Sequence, residues 1–483
     1  TAFAQPYEPN VIWDRSGLQD SSAYGYKIFP LGDQNDDGFA DWAVYAVGNG
    51  GGWHGTQASY MEFFRGETQL SLEPFCTFLV DTSIYDPAWG ADVIGDVNGD
   101  GYIDWIVIKQ TRTSPIIYSG QIYYGGDNMD PDVDFTPSNG FLGTVGDFNG
   151  DGCSDLSNYD YSRDIFRVFY GGNTIDTIPD WILYEPPEGL IQSVPYAIGD
   201  FNGDGASDFM CFNMNNGNLA VFLGGANPDT VPAYFWSNMY GPSGGIDSLN
   251  GDNADDWDSG TYVYFGRPEL NPIPDAILNS NAGAYSADGG DFNGDGYHDL
   301  ILYTWSTGTN PFGALDVHLG HPWINPDPVL YIEGDTPPLN LRGIYTAAGL
   351  GDVNGDGLSD IAIGAWHSWF AWRGRCVILS GDSTLRVAAD EPPPEAPQEF
   401  AVEVYPNPFN SVAVIKLTLP WSQRLNEITV YDILGRTVWR EVLPPFVTQF
   451  VYRFDARDLA SGMYFLQVRS GAQYKTKKLI LLR

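Results

Sequence analysis

Residues 95–104 read GDVNGDGYID. The same string returns as GDFNGDGCSD at 146–155, GDFNGDGASD at 199–208, GDFNGDGYHD at 290–299 and GDVNGDGLSD at 351–360. DQNDDGFAD at 33–41 is a close variant, and SLNGDNADD at 248–256 is a degraded copy. Counted from the first acidic position, the seven loops start at 33, 96, 147, 200, 248, 291 and 352, spaced 63, 51, 53, 48, 43 and 61 residues apart. A second signal follows each loop, an alternating aromatic and β-branched run that ends in Gly. Examples are SYMEFFRG (59–66), QIYYGG (121–126), FRVFYGG (166–172), LAVFLGG (219–225), TYVYFGR (261–267), LDVHLGH (315–321) and CVILSGD (376–382). Period-2 alternation bounded by Gly reads as a strand. Further strands fit between units, as in IPDWILYE (178–185) and IPDAILNS (273–280). Roughly four strands in about 50 residues is the size of one propeller blade. The expected fold is therefore all-β, a seven-bladed β-propeller over 1–389. Val11-Ile12-Trp13 is expected to complete the last blade and lock the ring.

The loop chemistry is oxygen ligation of a hard cation. Position 1 is Asp33, Asp96, Asp147, Asp200, Asp291 or Asp352, and position 3 is Asn35, Asn98, Asn149, Asn202, Asn293 or Asn354. Position 5 is Asp37, Asp100, Asp151, Asp204, Asp295 or Asp356, and position 9 is Asp41, Asp104, Asp155, Asp208, Asp299 or Asp360. Position 7 offers a main-chain carbonyl, from Phe39, Tyr102, Cys153, Ala206, Tyr297 or Leu358. Gly at position 6 permits the sharp turn. This is the opening half of an EF-hand loop, shortened so that position 9 gives the last carboxylate, and it suits Ca²⁺ better than Mg²⁺. No nitrogen or sulfur ligand is present, which argues against zinc. Three carboxylates about 5 Å apart repel by roughly 3 kcal/mol per pair at an effective dielectric of ~20, so a cation turns repulsion into cross-linking. About six structural Ca²⁺ sites are expected. In the degraded copy Ser248 replaces the first Asp and Asn253 replaces the Gly, so weak or no binding is expected there.

The chain has 483 residues, with 23 Lys+Arg against 62 Asp+Glu and a net charge of -39, which repels nucleic acid and anionic membranes. With 57 Gly, 33 Pro, 15% aromatic and 43% apolar residues, it suits short strands and tight turns over a real core, and neither a helical bundle nor a disordered chain. No apolar run is long enough for a membrane-spanning helix. Ala2-Phe3-Ala4 has the small-x-small form of a signal-peptidase site. The acidity is uneven: residues 1–398 hold 12 basic and 55 acidic side chains, residues 399–483 hold 11 and 7. That change marks a domain boundary, and the Pro-rich acidic stretch 390–398 reads as a stiff linker. Residues 399–483 carry strand signals at 402–405, 413–419, 427–431, 462–468 and 477–482 and suggest a small Ig-like β-sandwich. Cys76, Cys153, Cys211 and Cys376 allow three pairings, and nothing in their spacing chooses among them.

Catalytic motifs are absent from the sequence. His54, His298, His318, His321 and His367 sit in no nucleophile or metal motif, and chance carboxylate pairs are certain among 62 acids. Gly48–Gly55 resembles a phosphate-binding string, but no helix signal follows it, and a hairpin in the first blade is expected. Trp366, Trp369 and Trp372 form the most suggestive aromatic cluster for sugar stacking.

The loop and strand repeats over about 10–389 resemble FG-GAP/VCBS repeats, the blades of integrin α-subunit heads and of many bacterial surface proteins. That resemblance implies a calcium-stabilised propeller used mostly in adhesion and recognition, with the calcium structural. YPNPFN (405–410), VYDILGR (430–436), LASGMYFLQV (459–468) and the basic tail KTKKLILLR (475–483) resemble the C-terminal sorting domain of type IX secretion cargo. This implies a bacterium with an outer membrane, contact with the type IX secretion machinery, and a secreted or cell-surface location. The leading expectation is a non-enzymatic recognition protein whose partner is a glycan or a surface or matrix protein. A structural subunit that polymerises into a surface layer or filament is the second class, and a polysaccharide-active enzyme the third.

Overall fold

The computed structural model describes residues 9–482 apart from 18–22, 48–58, 81–89, 111–117, 128, 131, 137–142, 161–162, 164, 185–193, 214–215, 237–240, 242–243, 269–273, 281, 283–284, 307–309, 323, 367–372, 386–400, 411, 419–425, 444–448, 458 and 471–472. Ala2–Ala4, the Gly48–Gly55 string, His54, His367, Trp369, Trp372 and the 390–398 linker therefore lie outside the described residues. The described chain is all-β, with no helix, and consists of small antiparallel sheets. It divides into two compact units, Thr1–Pro272 with Ala276–Arg386, and Ile273–Asp275 with Val387–Arg483.

The first unit holds seven sheets, one for each loop. Sheet 1 runs Tyr24–Gly32, Asp41–Ala46, Ser59–Phe64, Cys76–Val80, and sheets 3 to 6 follow the same up-and-down order. Sheet 2 has three strands, Ala91–Gly95, Asp104–Gln110 and Tyr118–Tyr123, with a single bridge from Ile122 to Phe135 where a fourth would lie. Sheet 7 takes its fourth strand from the start of the chain: Val11–Ser16 pairs antiparallel with Arg375–Leu379.

Apolar clusters form between sheets. Phe148, Phe166 and Trp181 of sheet 3 pack with Phe209 and Phe222 of sheet 4. Equivalent clusters join sheets 1 and 2, 2 and 3, 4 and 5, 5 and 6, and 6 and 7. A further cluster joins 7 back to 1, with Trp13, Leu350 and Ile378 against Trp42, Val44 and Phe64. The contacts thus form a closed cycle. Each second strand is covered on both faces, which is why Asp41–Ala46 and Asp360–Ala365 are buried at all six positions instead of alternating. Fourth strands turn one face to solvent, and Leu79 and Ile277 are exposed there.

The second unit has two sheets around one core. Ala401–Tyr405, Val412–Thr418 and Gln449–Asp455 form the first, in that order. Thr437–Leu443, Asn426–Asp432, Gly462–Ser470 and Gln473–Leu481 form the second. Ile415 and Leu417 from one meet Ile428, Leu466 and Leu479 from the other. All four cysteines are free thiols, so none of the three pairings forms.

Candidate metal centres

Each loop joins the first and second strands of its sheet, so the tertiary fold places all seven at corresponding turns. The internal geometry repeats. In the second loop Asp96 Oδ1 accepts the N–H groups of Gly99 (2.7 Å) and Asp100 (3.1 Å), and Oδ2 accepts that of Gly101 (2.7 Å). Asp100 Oδ1 accepts the N–H of Tyr102 at 3.0 Å. Asn98 bridges by donating Nδ2–H to Asp100 Oδ2 at 2.9 Å. Equivalent bonds organise the loops of Asp33, Asp147, Asp200, Asp291 and Asp352. Gly101 makes this possible, because its φ of 96° is closed to side chains with a Cβ. These donors organise the carboxylates: partial burial opposes it, yet the N–H groups of Gly38, Asn35 and Asp37 hold Asp33 below the ordinary carboxylate range.

Position 9 has a second task that local reading missed. Asp104 is fully buried, its Oδ2 accepts Val97 N–H at 2.9 Å and its Oδ1 accepts Gly125 N–H at 2.8 Å. Asp41, Asp155, Asp208, Asp256, Asp299 and Asp360 repeat the arrangement toward Gly66, Gly171, Gly224, Gly266, Gly320 and Gly381. These glycines end the alternating runs, so the carboxylate ties the loop to the third strand of its own sheet. Burial raises these acids, to about 6 for Asp41, about 7 for Asp104, Asp155, Asp208 and Asp360, and about 8 for Asp299. Each carboxylate oxygen has a second lone pair, so holding an N–H leaves capacity for a cation. Asp104→Ala would leave two buried N–H groups without acceptors, at about 1–3 kcal/mol each. Urea denaturation is expected to show a loss of about 4 kcal/mol. Asp104→Asn, which keeps one acceptor oxygen, should lose less.

The loops also couple neighbouring sheets. At five of the seven junctions the carbonyl of position 1 accepts the N–H of position 8 in the next loop, as in Ser154 to Asp96 (2.7 Å) and Ser207 to Asp147 (2.7 Å). Position 2 accepts likewise, as in Gly172 to Val97 (2.8 Å). Ala40 to Asp352 (2.9 Å) and Glu67 to Val353 (2.9 Å) carry the pattern from sheet 7 to sheet 1. A cation held in one of these loops would therefore stiffen two sheets.

The donor sets are all oxygen, and in the first loop Asn35 Oδ1 is buried with no hydrogen-bond partner. An acceptor-rich cluster with an orphaned oxygen fits a hard cation. The copy at 248–256 has a different local geometry. Ser248 Oγ donates to Asn250 Oδ1 at 3.2 Å, and Asn253 does not take the positive φ that glycine holds at this position elsewhere.

Beside that copy the structure assembles a group the sequence did not single out. Asp247 stands where six other loops have Gly, and it meets His298, position 8 of the next loop. His298 Nδ1 lies 3.0 Å from both carboxylate oxygens of Asp288 and 3.7 Å from Asp247. The hydrogen bond to Asp288 raises His298 to about 9, so an imidazolium sits at this junction. Among the described residues these three gather their ligand atoms within 4.8 Å of one another. His318 is buried in its strand, and desolvation lowers it to about 4. His321 lies beside the Tyr297 ring.

Residues 403–482 match the family described as the Secretion system C-terminal sorting domain. This segment is a type IX sorting domain. It marks the chain for export by the type IX system to the cell surface or the extracellular space. A stretch of 110 residues is 33% identical to integrin alpha pat-2 of Caenorhabditis elegans, covering 22% of this chain and 9% of that protein. Among solved structures, dimeric latent PorU from Porphyromonas gingivalis aligns over 97% of this chain and 34% of that one, at 12% identity and a TM-score of 0.15. The chain thus spans less than a tenth of the integrin and about a third of PorU. Among the described residues no helix is long and apolar enough to cross a membrane.

Proposed function

We propose that the chain is an exported, calcium-stabilised recognition protein without catalytic activity. In this reading the seven sheets are the blades of a propeller, and the second unit is an Ig-like sandwich that serves sorting or attachment. The supporting observation is the loop geometry: six loops share one all-oxygen donor set, and loop bonds tie consecutive sheets, sheet 7 to sheet 1 included. The closed cycle of apolar clusters supports the propeller, since a ring removes the free faces an open array would expose. The local integrin likeness accords with repeats of this kind.

Calcium, when bound, would supply positive charge between carboxylates that otherwise repel. The chain does the rest. Positions 1, 3, 5 and 9 present oxygens, position 7 a carbonyl, and the glycine at position 6 lets the backbone fold around them. The result is a rigid ring with solvent-facing loops, suited to presenting a surface for a glycan or a surface protein.

Equilibrium dialysis against ⁴⁵Ca²⁺ tests the metal part. About six ions per chain are expected, with the loop at 248–256 contributing none. Replacing Asp147 and Asp151 together by Ala should remove one. A chain that binds no calcium at millimolar concentration overturns the reading.

A further inference from the structure

A cavity of about 380 Å³ is lined by the first strands of sheets 1, 2, 6 and 7 and by Tyr303 on the second strand of sheet 6, with no residue of the acidic loops in its wall. That volume lies within the range of small-ligand sites. Its walls are rich in tyrosine. Tyr26 and Tyr345 stack at 4.9 Å, and their hydroxyls lie 3.4 Å apart. Tyr285 and Tyr303 stack at 5.7 Å and 25°. Tyr303 is partly buried against the core of sheets 6 and 7, whereas Tyr285 is 47% exposed. A wet tyrosine backed by a packed one is an aromatic platform held in place before anything binds.

The polar groups set the ligand class. Lys27 Nζ bonds Asp92 Oδ2 at 3.0 Å and the Ala91 carbonyl at 3.2 Å, and both side chains line the cavity. The pair is internally neutral. With Lys27 29% and Asp92 51% exposed, the pair offers an ionic ligand no net charge to bind, and an ionic ligand would have to compete with it in water. A neutral polyol can donate to Asp92 and accept from Lys27 with the pair intact. It can also lay an apolar C–H face on Tyr285.

We propose that this tyrosine-lined cavity binds one ring of an uncharged oligosaccharide, stacked on Tyr285 and hydrogen-bonded by Lys27 and Asp92. The inference rests on the recognition reading above and assigns it a site and a ligand class.

The test uses the full chain in millimolar calcium on an array of neutral and acidic oligosaccharides, with a protein array probed in parallel. The best neutral oligosaccharide is then titrated calorimetrically. Binding of neutral oligosaccharides is expected, about tenfold weaker in Tyr285→Ala. It should also weaken in Lys27→Met, and stay unchanged in Tyr184→Ala, which alters an exposed tyrosine just past the strand Trp181–Leu183 and remote in sequence from the cavity strands. Unchanged melting of each variant shows that folding is not the cause. Glycan binding that survives Tyr285→Ala overturns the cavity and leaves recognition standing. Binding of acidic glycans alone overturns the ligand class. Silence on the glycan array overturns the inference, and only silence on both arrays removes the recognition reading with it.

Discussion

Chelating calcium is expected to lower the melting midpoint of the seven-sheet unit by about 10 °C. At ten times Kd a bound ion contributes about 1.4 kcal/mol to folding, so six independent sites contribute about 8 kcal/mol. The unfolding entropy near the midpoint is roughly 2.1 cal/mol/K per residue, or about 0.8 kcal/mol/K for a unit of this size. The ratio gives the shift. The mechanism is specific to the loops. Five of the donor sets, those of Asp96, Asp147, Asp200, Asp291 and Asp352, sit at turns whose carbonyls hold the next sheet, so losing the ion weakens an interface as well as a turn. Differential scanning calorimetry with and without EDTA checks this. The transition of the C-terminal unit, which carries none of these loops, should not move. Coincident traces for both units would mean that the acidic loops are only turns.

The second large effect is expected at Arg15 and Glu62. Arg15 lies on Val11–Ser16, the strand that sheet 7 borrows, and Glu62 lies on the third strand of sheet 1. The guanidinium grips the carboxylate with two bonds, Nε to Oε2 at 2.9 Å and Nη2 to Oε1 at 2.8 Å. Arg15 is 9% exposed and Glu62 1%. Arg15 also donates to the Leu72 carbonyl and lies over the Phe64 ring. The pair therefore crosses the one interface at which the two ends of the seven-sheet unit meet. Removing one partner from a buried pair leaves the other charged and unpaired, at about 3–5 kcal/mol. Glu62→Ala should show that loss in urea denaturation. Arg15→Met with Glu62→Leu should recover most of it, because apolar replacement of both partners leaves no buried charge. A Glu62→Ala variant within 1 kcal/mol of wild type would show that the closing strand is held by Trp13 and its apolar neighbours alone.

Much of this molecule is legible in the chain, and much is not, for one physical reason. A cation loop is nine consecutive residues, with its acids, its carbonyl and its glycine in a single window. Loop positions and their chemistry are therefore written locally. The Gly-terminated strands are local too, and the alternating runs around 121–126, 219–225 and 376–382 became strands where expected. The match of residues 403–482 to a sorting domain follows the same logic, because YPNPFN and LASGMYFLQV are continuous motifs. The strands Thr437–Leu443 and Gln449–Asp455 do not stand out in the sequence although Gly435 and Pro444-Pro445 bracket the first, because neither TVWREVL nor QFVYRFD keeps strict period-2 alternation.

What depends on distant residues was decided by the tertiary structure. The partner of Asp104 at Gly125 lies 21 residues on, and only the folded sheet shows that this candidate ligand is also a staple. The meeting of His298 with Asp288 and Asp247 needed two neighbouring sheets to pack. The tyrosine cavity draws on first strands from sheets 1, 2, 6 and 7, hundreds of residues apart. The short apolar run at Val11–Trp13 does not encode its own partner, and its pairing with Arg375–Leu379 is set by the packed sheet. Ligand sets and turns are short-range and can be read from residue order. Interfaces, cavities and closure are set by which apolar faces find each other, and that is settled only when the whole chain is packed.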